Sequence, residues 1–246
     1  MEVINYILKN KQILASDGKF EGIKIVFFSD LHIGKLLKKR QLQKVLQQIR
    51  SLNADIYIFG GDLIGSQPQK YYTIEDIKEC FSIFNNSLNI KVFGNHEFKV
   101  EKGIDSETKI KLFMAMENFK LLRDEKISFY KNDLKINIIG LNEVKYHQVK
   151  LPEIDKNETN IAIVHQGDYF DKLADFDLTM SGHTHGGQIR LPLLKPFYLP
   201  SNGKKYVKGL FKNKNVSLIV SKGLGCNYLN FRMFAKRDVI VIDYRG

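Results

Sequence analysis

Five short apolar runs punctuate this chain, and each gives way abruptly to residues that turn sharply or bind cations. Ile25-Val26-Phe27-Phe28 leads into Asp30-Leu31-His32, and Ile56-Tyr57-Ile58-Phe59 leads into Gly60-Gly61-Asp62. Ile90-Lys91-Val92-Phe93 leads into Gly94-Asn95-His96-Glu97. Ile161-Ala162-Ile163-Val164 ends at His165, and Leu178-Thr179-Met180 precedes Gly182-His183-Thr184-His185-Gly186-Gly187. Short runs of β-branched and aromatic residues bounded by such turns read as buried strands. In open α/β sheets, ligands bind beyond the carboxyl ends of the strands. The five ends therefore predict one site assembled from distant parts of the chain, with five of the six histidines in it.

Between these runs the apolar spacing changes to that of helices. Residues 38–52 carry Leu42, Val45, Leu46, Ile49 and Leu52, which form one helical stripe. Residues 74–86 repeat the pattern after Thr73, an N-cap with Asp76 in the capping-box position. A third helix is expected over 107–122. The second half reads as strands around Phe129, 136–139, 161–164, 178–180, 216–220 and 239–244, with a short helix at 168–174. The fold class is α/β, a single domain over residues 1–246. Gly and Pro punctuate 182–209, so residues 190–212 read as a long loop, and loops of that length in a compact chain are usually functional.

Charge is unevenly distributed. The net charge is +11 over 246 residues, and twelve of the basic residues against two acidic ones lie between Arg190 and Gly246. That end of the chain predicts an anionic partner. Two cysteines without a CxxC pair neither indicate a disulfide scaffold nor exclude a single bridge. They read as reduced thiols, with Cys80 on a core stripe. No signal-peptide core precedes the first apolar run, and no run reaches the 18 apolar residues of a membrane span. The expectation is a cytoplasmic protein, at most peripheral on the inner face of a membrane.

The residue types at the strand ends point to a metal centre. Asp30 with His32, and His183 with His185, sit two apart and can grip one cation from the same side. Asp62 follows a Gly-Gly turn that lets backbone approach closely, and a carboxylate can join two cations. Asn95 offers a carbonyl oxygen and His165 a ring nitrogen. A mixed imidazole, carboxylate and amide set suits Mn²⁺, Fe or Zn²⁺ better than Mg²⁺ or Ca²⁺. Seven such groups exceed the needs of one tetrahedral ion. Glu97 reads as either a group that orients a neighbour or a solvent-facing residue, and His147 as a surface-loop residue.

In this order the five motifs resemble the calcineurin-like metallophosphoesterase family. The resemblance implies a four-layer α/β/β/α sandwich with two mixed sheets. It implies two divalent cations, Mn²⁺ first, with Asp30, His32, Asp62 and His185 on one and Asp62, Asn95, His165 and His183 on the other. His96 is then the catalytic residue that contacts the phosphate and the leaving group. The implied reaction is in-line attack on phosphorus by a hydroxide bridging the two metals.

The segment 182–192, Gly223-Leu224-Gly225 and Phe231-Arg232 are similar to a bacterial subfamily of membrane-associated phosphodiesterases that includes a UDP-2,3-diacylglucosamine pyrophosphatase. This implies a lipid- or nucleotide-linked substrate contacted by Asn95, His96, Arg190 and Arg232. Gln166-Gly167 after His165 departs from the family's usual pair. The loop 190–212 mixes Leu193, Leu194, Phe197, Tyr198 and Tyr206 with Lys195, Lys204, Lys205 and Lys208. It reads as a basic, apolar lid for a phosphorylated lipid or nucleotide, or for contact with an anionic membrane, and less well as a nucleic-acid surface. The alternatives are a nuclease or cyclic-nucleotide phosphodiesterase on the same centre, and a non-catalytic scaffold.

Overall fold

The computed structural model describes residues 1–100, 104–191, 194, 196–227 and 229–246. In chain order its strands are β1 (Glu2–Lys9), β2 (Gln12–Ala15), β3 (Ile23–Phe28), β4 (Ile56–Phe59), β5 (Leu88–Lys91), β6 (Lys120–Leu121) and β7 (Glu125–Lys131). They continue with β8 (Leu134–Gly140), β9 (Asn160–Ile163), β10 (Leu178–Ser181), β11 (Gly209–Asn213), β12 (Val216–Val220) and β13 (Asp238–Tyr244). The helices are α1 (Lys39–Arg50), α2 (Ile74–Phe81) and α3 (Ser106–Met114).

Two mixed sheets result. The first runs β2-β1-β13-β3-β4-β5-β6 and the second β11-β12-β10-β9-β8-β7. Strands β3, β4 and β5 pair in parallel, as do β8, β9, β10 and β12, so their carboxyl ends gather at one edge of each sheet.

The alternation of side chains along each strand explains the layers. In β3, Ile23, Ile25 and Phe27 face the second sheet, whereas Val26 and Phe28 face the helices. Strand β4 splits the same way, with Ile56 and Ile58 on one side and Tyr57 and Phe59 on the other. Ile136, Ile138, Ile161, Ile163 and Met180 answer from the second sheet. Because both faces of the first sheet are covered, its central strand β4 is apolar throughout and β3 is apolar from Ile25 on, as expected of buried parallel strands. On the helix side, Phe119 packs edge-on to Phe28, Phe81 and Phe84 at 5.2–6.2 Å between ring centres. Each such buried ring contributes roughly 1.5–3 kcal/mol. The outer face of the second sheet is covered by a 3₁₀ helix, Gly167–Lys172, and by loop residues around Val149 and Ile154.

Several boundaries differ from those expected of the sequence. Helix α3 stops at Met114 rather than 122, because the buried Lys91 ammonium donates to the carbonyls of Phe113 (3.0 Å) and Met116 (2.9 Å) and caps that end. Helix α2 stops at Phe81, where Ser82 Oγ donates to the Glu79 carbonyl; its Thr73–Asp76 capping box is present as expected. The hairpin β1–β2 was not anticipated. It turns at Asn10 and Lys11, both with positive φ, and lays β1 parallel to β13. The segment 190–212 is not loop throughout, since β11 begins at Gly209 and pairs with β12. Leu193 and Lys195 of that segment lie outside the described residues. Both Cys80 and Cys226 are buried free thiols. Among the described residues no helix is long and apolar enough to cross a membrane.

Candidate metal centre

All the strand-end residues meet at one edge of the sandwich. Asp30, His32, Asp62, Asn95, His96, His165, His183 and His185 are each buried. Their donor atoms form three overlapping groups, Asp30–His32–His185, His32–Asp62–His96 and Asp62–His165–His183, with atoms within 4.8 Å of one another in each. Asp62 stands in two of the groups. Its Oδ2 lies 3.1 Å from His165 Nε2 and 3.7 Å from His32 Nε2. Asp30 Oδ1 lies 3.7 Å from His185 Nε2 and 3.9 Å from His165 Nε2. The Nε2 atoms of His32 and His185 approach to 2.9 Å, so both rings aim at the same point.

The backbone at these positions is contorted. Asp30 (φ 55°), His32 (48°), Asp62 (57°), His183 (73°) and His185 (52°) all adopt the left-handed region. Non-glycine residues held there cost on the order of 1–3 kcal/mol each, and such strain concentrates at functional sites. Neighbouring loops hold it in place. Asp30 N–H donates to the Gly61 carbonyl (2.9 Å), and His32 N–H to that of Asp62 (3.2 Å). The motif glycines permit the crowding: a Cβ on Gly94 would sit 2.2 Å from Asp62 Oδ1, and one on Gly182 would sit 2.3 Å from Asp30 Oδ2.

Second partners orient the rings. His165 Nδ1 donates to the Gly60 carbonyl (2.7 Å), and His32 Nδ1 faces that of Ile64 (3.3 Å), which leaves both Nε2 atoms toward the centre. His183 is turned the other way, with Nε2 on the Ser201 carbonyl (2.8 Å) and Nδ1 inward. Bonds of this kind fix the tautomer of a metal-ligating imidazole. Glu97 settles the question the sequence left open. It is fully buried, and its carboxylate accepts N–H groups from Gly94 (2.8 Å), Asp62 (3.1 Å) and Ile64 (3.2 Å). It therefore ties the Asp62 loop to the Asn95 loop.

Electrostatics follow from burial and crowding. Burial alone would lower His165, but the Asp62 and Asp30 carboxylates push it up to about 10. Burial, together with the charge of His165, lowers His183 to about 4. Burial also holds His96 well below the ordinary histidine value, so it is neutral. Asn95 Oδ1 and His96 Nδ1 are buried without a hydrogen-bond partner, and His165 Nε2 faces Asp62 outside hydrogen-bond geometry. Unpartnered buried polar atoms among carboxylates and tautomer-fixed imidazoles are what a divalent cation satisfies, displacing the proton from His165, and this donor set fits one.

The remaining expected residues are placed differently. Arg232 donates to the carbonyls of Gly225 (Nε, 3.0 Å) and Lys222 (2.7 Å), and its Nη2 lies 3.0 Å from His185 Nδ1. Arg190 lies on the rim, where its N–H donates to the Met233 carbonyl (3.2 Å). Neither arginine lines the two cavities over the centre. His147 lies in the loop after β8 as expected, half-buried, with its ring 4.5 Å from that of Phe98 where this loop packs near the Asn95 turn. Lys99, Lys145, Tyr198, Ser201 and Asn227 line the small polar cavity over Asp62 and His96; of these, Tyr198 and Ser201 belong to the 190–212 segment read from the sequence as a lid, whereas Lys99, Lys145 and Asn227 were not singled out by the sequence. Only Lys99, two residues past Glu97, carried a positional hint.

Residues 23–187, more than half of the chain, match the profile of the calcineurin-like phosphoesterases, and the chain belongs to that family. It is thus a hydrolase of phosphoester bonds with a divalent metal centre. Bacillus subtilis YkuE, an uncharacterized metallophosphoesterase, is 29% identical over 92% of this chain and 80% of its own length. The Escherichia coli phosphodiesterase YaeI is 24% identical over 89% of this chain and 81% of its own. Among solved structures, Haemophilus influenzae NAD nucleotidase is similar with 17% identity and a TM-score of 0.49, over 82% of this chain and 45% of that one.

Proposed function

We propose that this protein hydrolyses phosphodiester or diphosphate bonds in lipid- or nucleotide-linked substrates, using two divalent cations that share Asp62. The observation that carries the reading is Asp62 standing in two donor groups whose other members differ. With Asp62, Asp30, His32 and His185 would hold one cation, and Asn95, His165 and His183 the other. Mn²⁺ suits this donor set first, with Zn²⁺ or Fe as alternatives. When bound, such a pair supplies a lowered pKa for the attacking water and charge neutralisation at phosphorus.

The chain's own residues do the rest. His96, neutral and with its backbone N–H donated to Asp62 Oδ1 (2.8 Å), offers a ring N–H to the phosphoryl or leaving oxygen. Asn95 contributes to phosphate binding as well as to the metal. Arg232, saturated with carbonyls, acts by holding His185, whereas Arg190 remains for substrate at the rim.

The diester reading draws support from the name of YaeI. The lipid reading rests on a cavity of about 360 Å³ beside His183 and His185, walled by Ile189, Phe197, Tyr198 and Leu229. Phe197 is 74% exposed, and Leu194, Leu229, Phe231 and Phe234 of the basic C-terminal segment are exposed as well. Exposed apolar side chains in a basic segment suit an anionic membrane surface and an acyl-bearing diphosphate such as UDP-2,3-diacylglucosamine. A panel of bis(p-nitrophenyl) phosphate, UDP-2,3-diacylglucosamine, cyclic nucleotides and single-stranded DNA with Mn²⁺ tests it. Turnover of the first two supports the reading; turnover of nucleic acid or cyclic nucleotide alone overturns the lipid part.

A further inference from the structure

Gln188 follows the turn that carries His183 and His185, and its backbone is forced into an unusual shape. Its φ is 46° and its ψ −54°, a conformation that non-glycine residues adopt only where their surroundings impose it. Its N–H donates to the His185 carbonyl (3.0 Å), and its own carbonyl accepts the Met233 N–H (2.9 Å). The side chain then grips the segment that runs back past the centre. Nε2 donates to the carbonyls of Asn227 (2.9 Å), Leu229 (2.9 Å) and Phe231 (3.1 Å), while Oε1 accepts the Asn227 N–H (2.8 Å). One carboxamide therefore holds both backbone groups of Asn227.

Asn227 stands where that grip matters. The centre opens into a polar cavity of about 80 Å³ over Asp62, Asn95 and His96, and into the apolar cavity of about 360 Å³. His183, His185, Tyr198, Pro200 and Asn227 border both and form the neck between them. Asn227, half-buried, supplies the one carboxamide of that neck. Its backbone is taken by Gln188, whereas its Oδ1 and Nδ2 make no hydrogen bond among the described residues. A molecule held at the metal centre with an apolar chain in the larger cavity passes through this neck. In glycerol- and sugar-linked lipids the atoms at that point include hydroxyl and acyl ester groups. Such a group loses water in the neck and needs a partner, and a carboxamide offers both a donor and an acceptor.

We propose that Asn227 is the specificity-determining contact for a hydrogen-bonding linker, a hydroxyl or acyl ester, between the reacting phosphorus and the apolar chain, and that Gln188 is the positioning residue that sets it in the neck. This rests on the lipid-linked reading above and adds how a polar linker is told from a bare alkyl chain.

Calorimetry on the Mn²⁺-loaded full chain tests it, with lauroyl-lysophosphatidylcholine and dodecylphosphocholine as probes, each below its micelle concentration. Both are phosphodiesters with the same headgroup and chains of equal length, and only the first carries a glycerol hydroxyl and an ester. The expected result is a wild-type preference for the glycerol-linked probe that falls about tenfold in Asn227→Ala and in Gln188→Glu. Gln188→Glu keeps the acceptor for the Asn227 N–H but turns a carboxylate toward the three carbonyls. Native mass spectrometry should find the wild-type number of Mn²⁺ ions in Gln188→Glu; loss of metal along with the preference would make Gln188 a support of the centre and overturn its assigned role. A wild type without preference, or a ratio unchanged in Asn227→Ala, overturns the contact. A wild type that binds neither probe overturns the contact together with the lipid-linked reading. A preference that responds to Asn227, without turnover of either probe, refutes only the hydrolysis.

Discussion

The metal cradle buries what proteins usually expose, and the rim beside it exposes what they usually bury. In the cradle, two carboxylates and five imidazoles lie almost out of reach of solvent, each held by backbone or by another member of the group. On the rim, Phe197 and Leu229 are exposed beside the cavity next to His183 and His185, in the basic C-terminal part of the chain. Each departure costs stability, and each marks a different task. Buried charge is kept where chemistry needs fixed geometry. Exposed apolar surface is kept where something apolar is to be bound. On the proposed function, the contrast separates reaction from recognition, and substitutions in the two regions should fail differently.

The largest effect is expected at the centre of the cradle. Asp62→Asn removes the shared carboxylate, and turnover of bis(p-nitrophenyl) phosphate should fall by at least about a thousandfold, with metal loading reduced in parallel. Glu97→Leu should come next. It orphans three buried N–H groups, each worth about 1–3 kcal/mol, so urea unfolding of the metal-free protein should show a loss near 3 kcal/mol. Glu97→Gln should recover part of it. A Glu97→Leu protein of unchanged stability would mean that the two loops do not depend on that carboxylate.

Rim substitutions should spare stability and alter recognition. Phe197→Ser with Leu229→Ser should shift unfolding by less than about 0.5 kcal/mol while raising KM about tenfold for an acyl-bearing diphosphate. An equal rise for a substrate without an acyl chain would remove the distinction between the regions.

A change visible only in the pH dependence of stability concerns the frame beneath the cradle. Burial pushes Lys91 from 10.5 down to about 8. Between those values the unfolded chain binds the proton that the folded chain has lost, so this residue's contribution to stability is complete above about pH 10.5 and disappears as pH falls through 8. Its slope is at most about 1.4 kcal/mol per pH unit. The difference in unfolding free energy between wild type and Lys91→Met should grow by that slope as pH rises from 8 to 10, measured by urea titration.

The cradle was legible in the sequence because each of its parts is local. An apolar run of four residues, a turn and a metal-binding side chain need no tertiary information to be seen at Asp30, Asp62, Asn95, His165 or His183. The left-handed backbone of His32 and His185 was not legible, since strain arises from the loops packing on one another. Nor was the hairpin β1–β2, whose half-exposed residues and two lysines mask the alternation and whose partner β13 lies at the far end of the chain. The apolar residues of 190–212 were visible as a lid, but the cavity they close also needs Asn227 and Leu229. Lys145 carried no signal at all, because only the Glu143–Gln166 contact brings its loop over the centre.

Metal stoichiometry bears most directly on the claim that Asp62 joins two cations. Native mass spectrometry of protein loaded with Mn²⁺, with turnover measured on the same samples, should find two ions per chain in the active wild type. In Asp62→Asn it should find one or none, with activity lost. Full turnover with a single ion, or two ions retained in an active Asp62→Asn protein, would contradict the account.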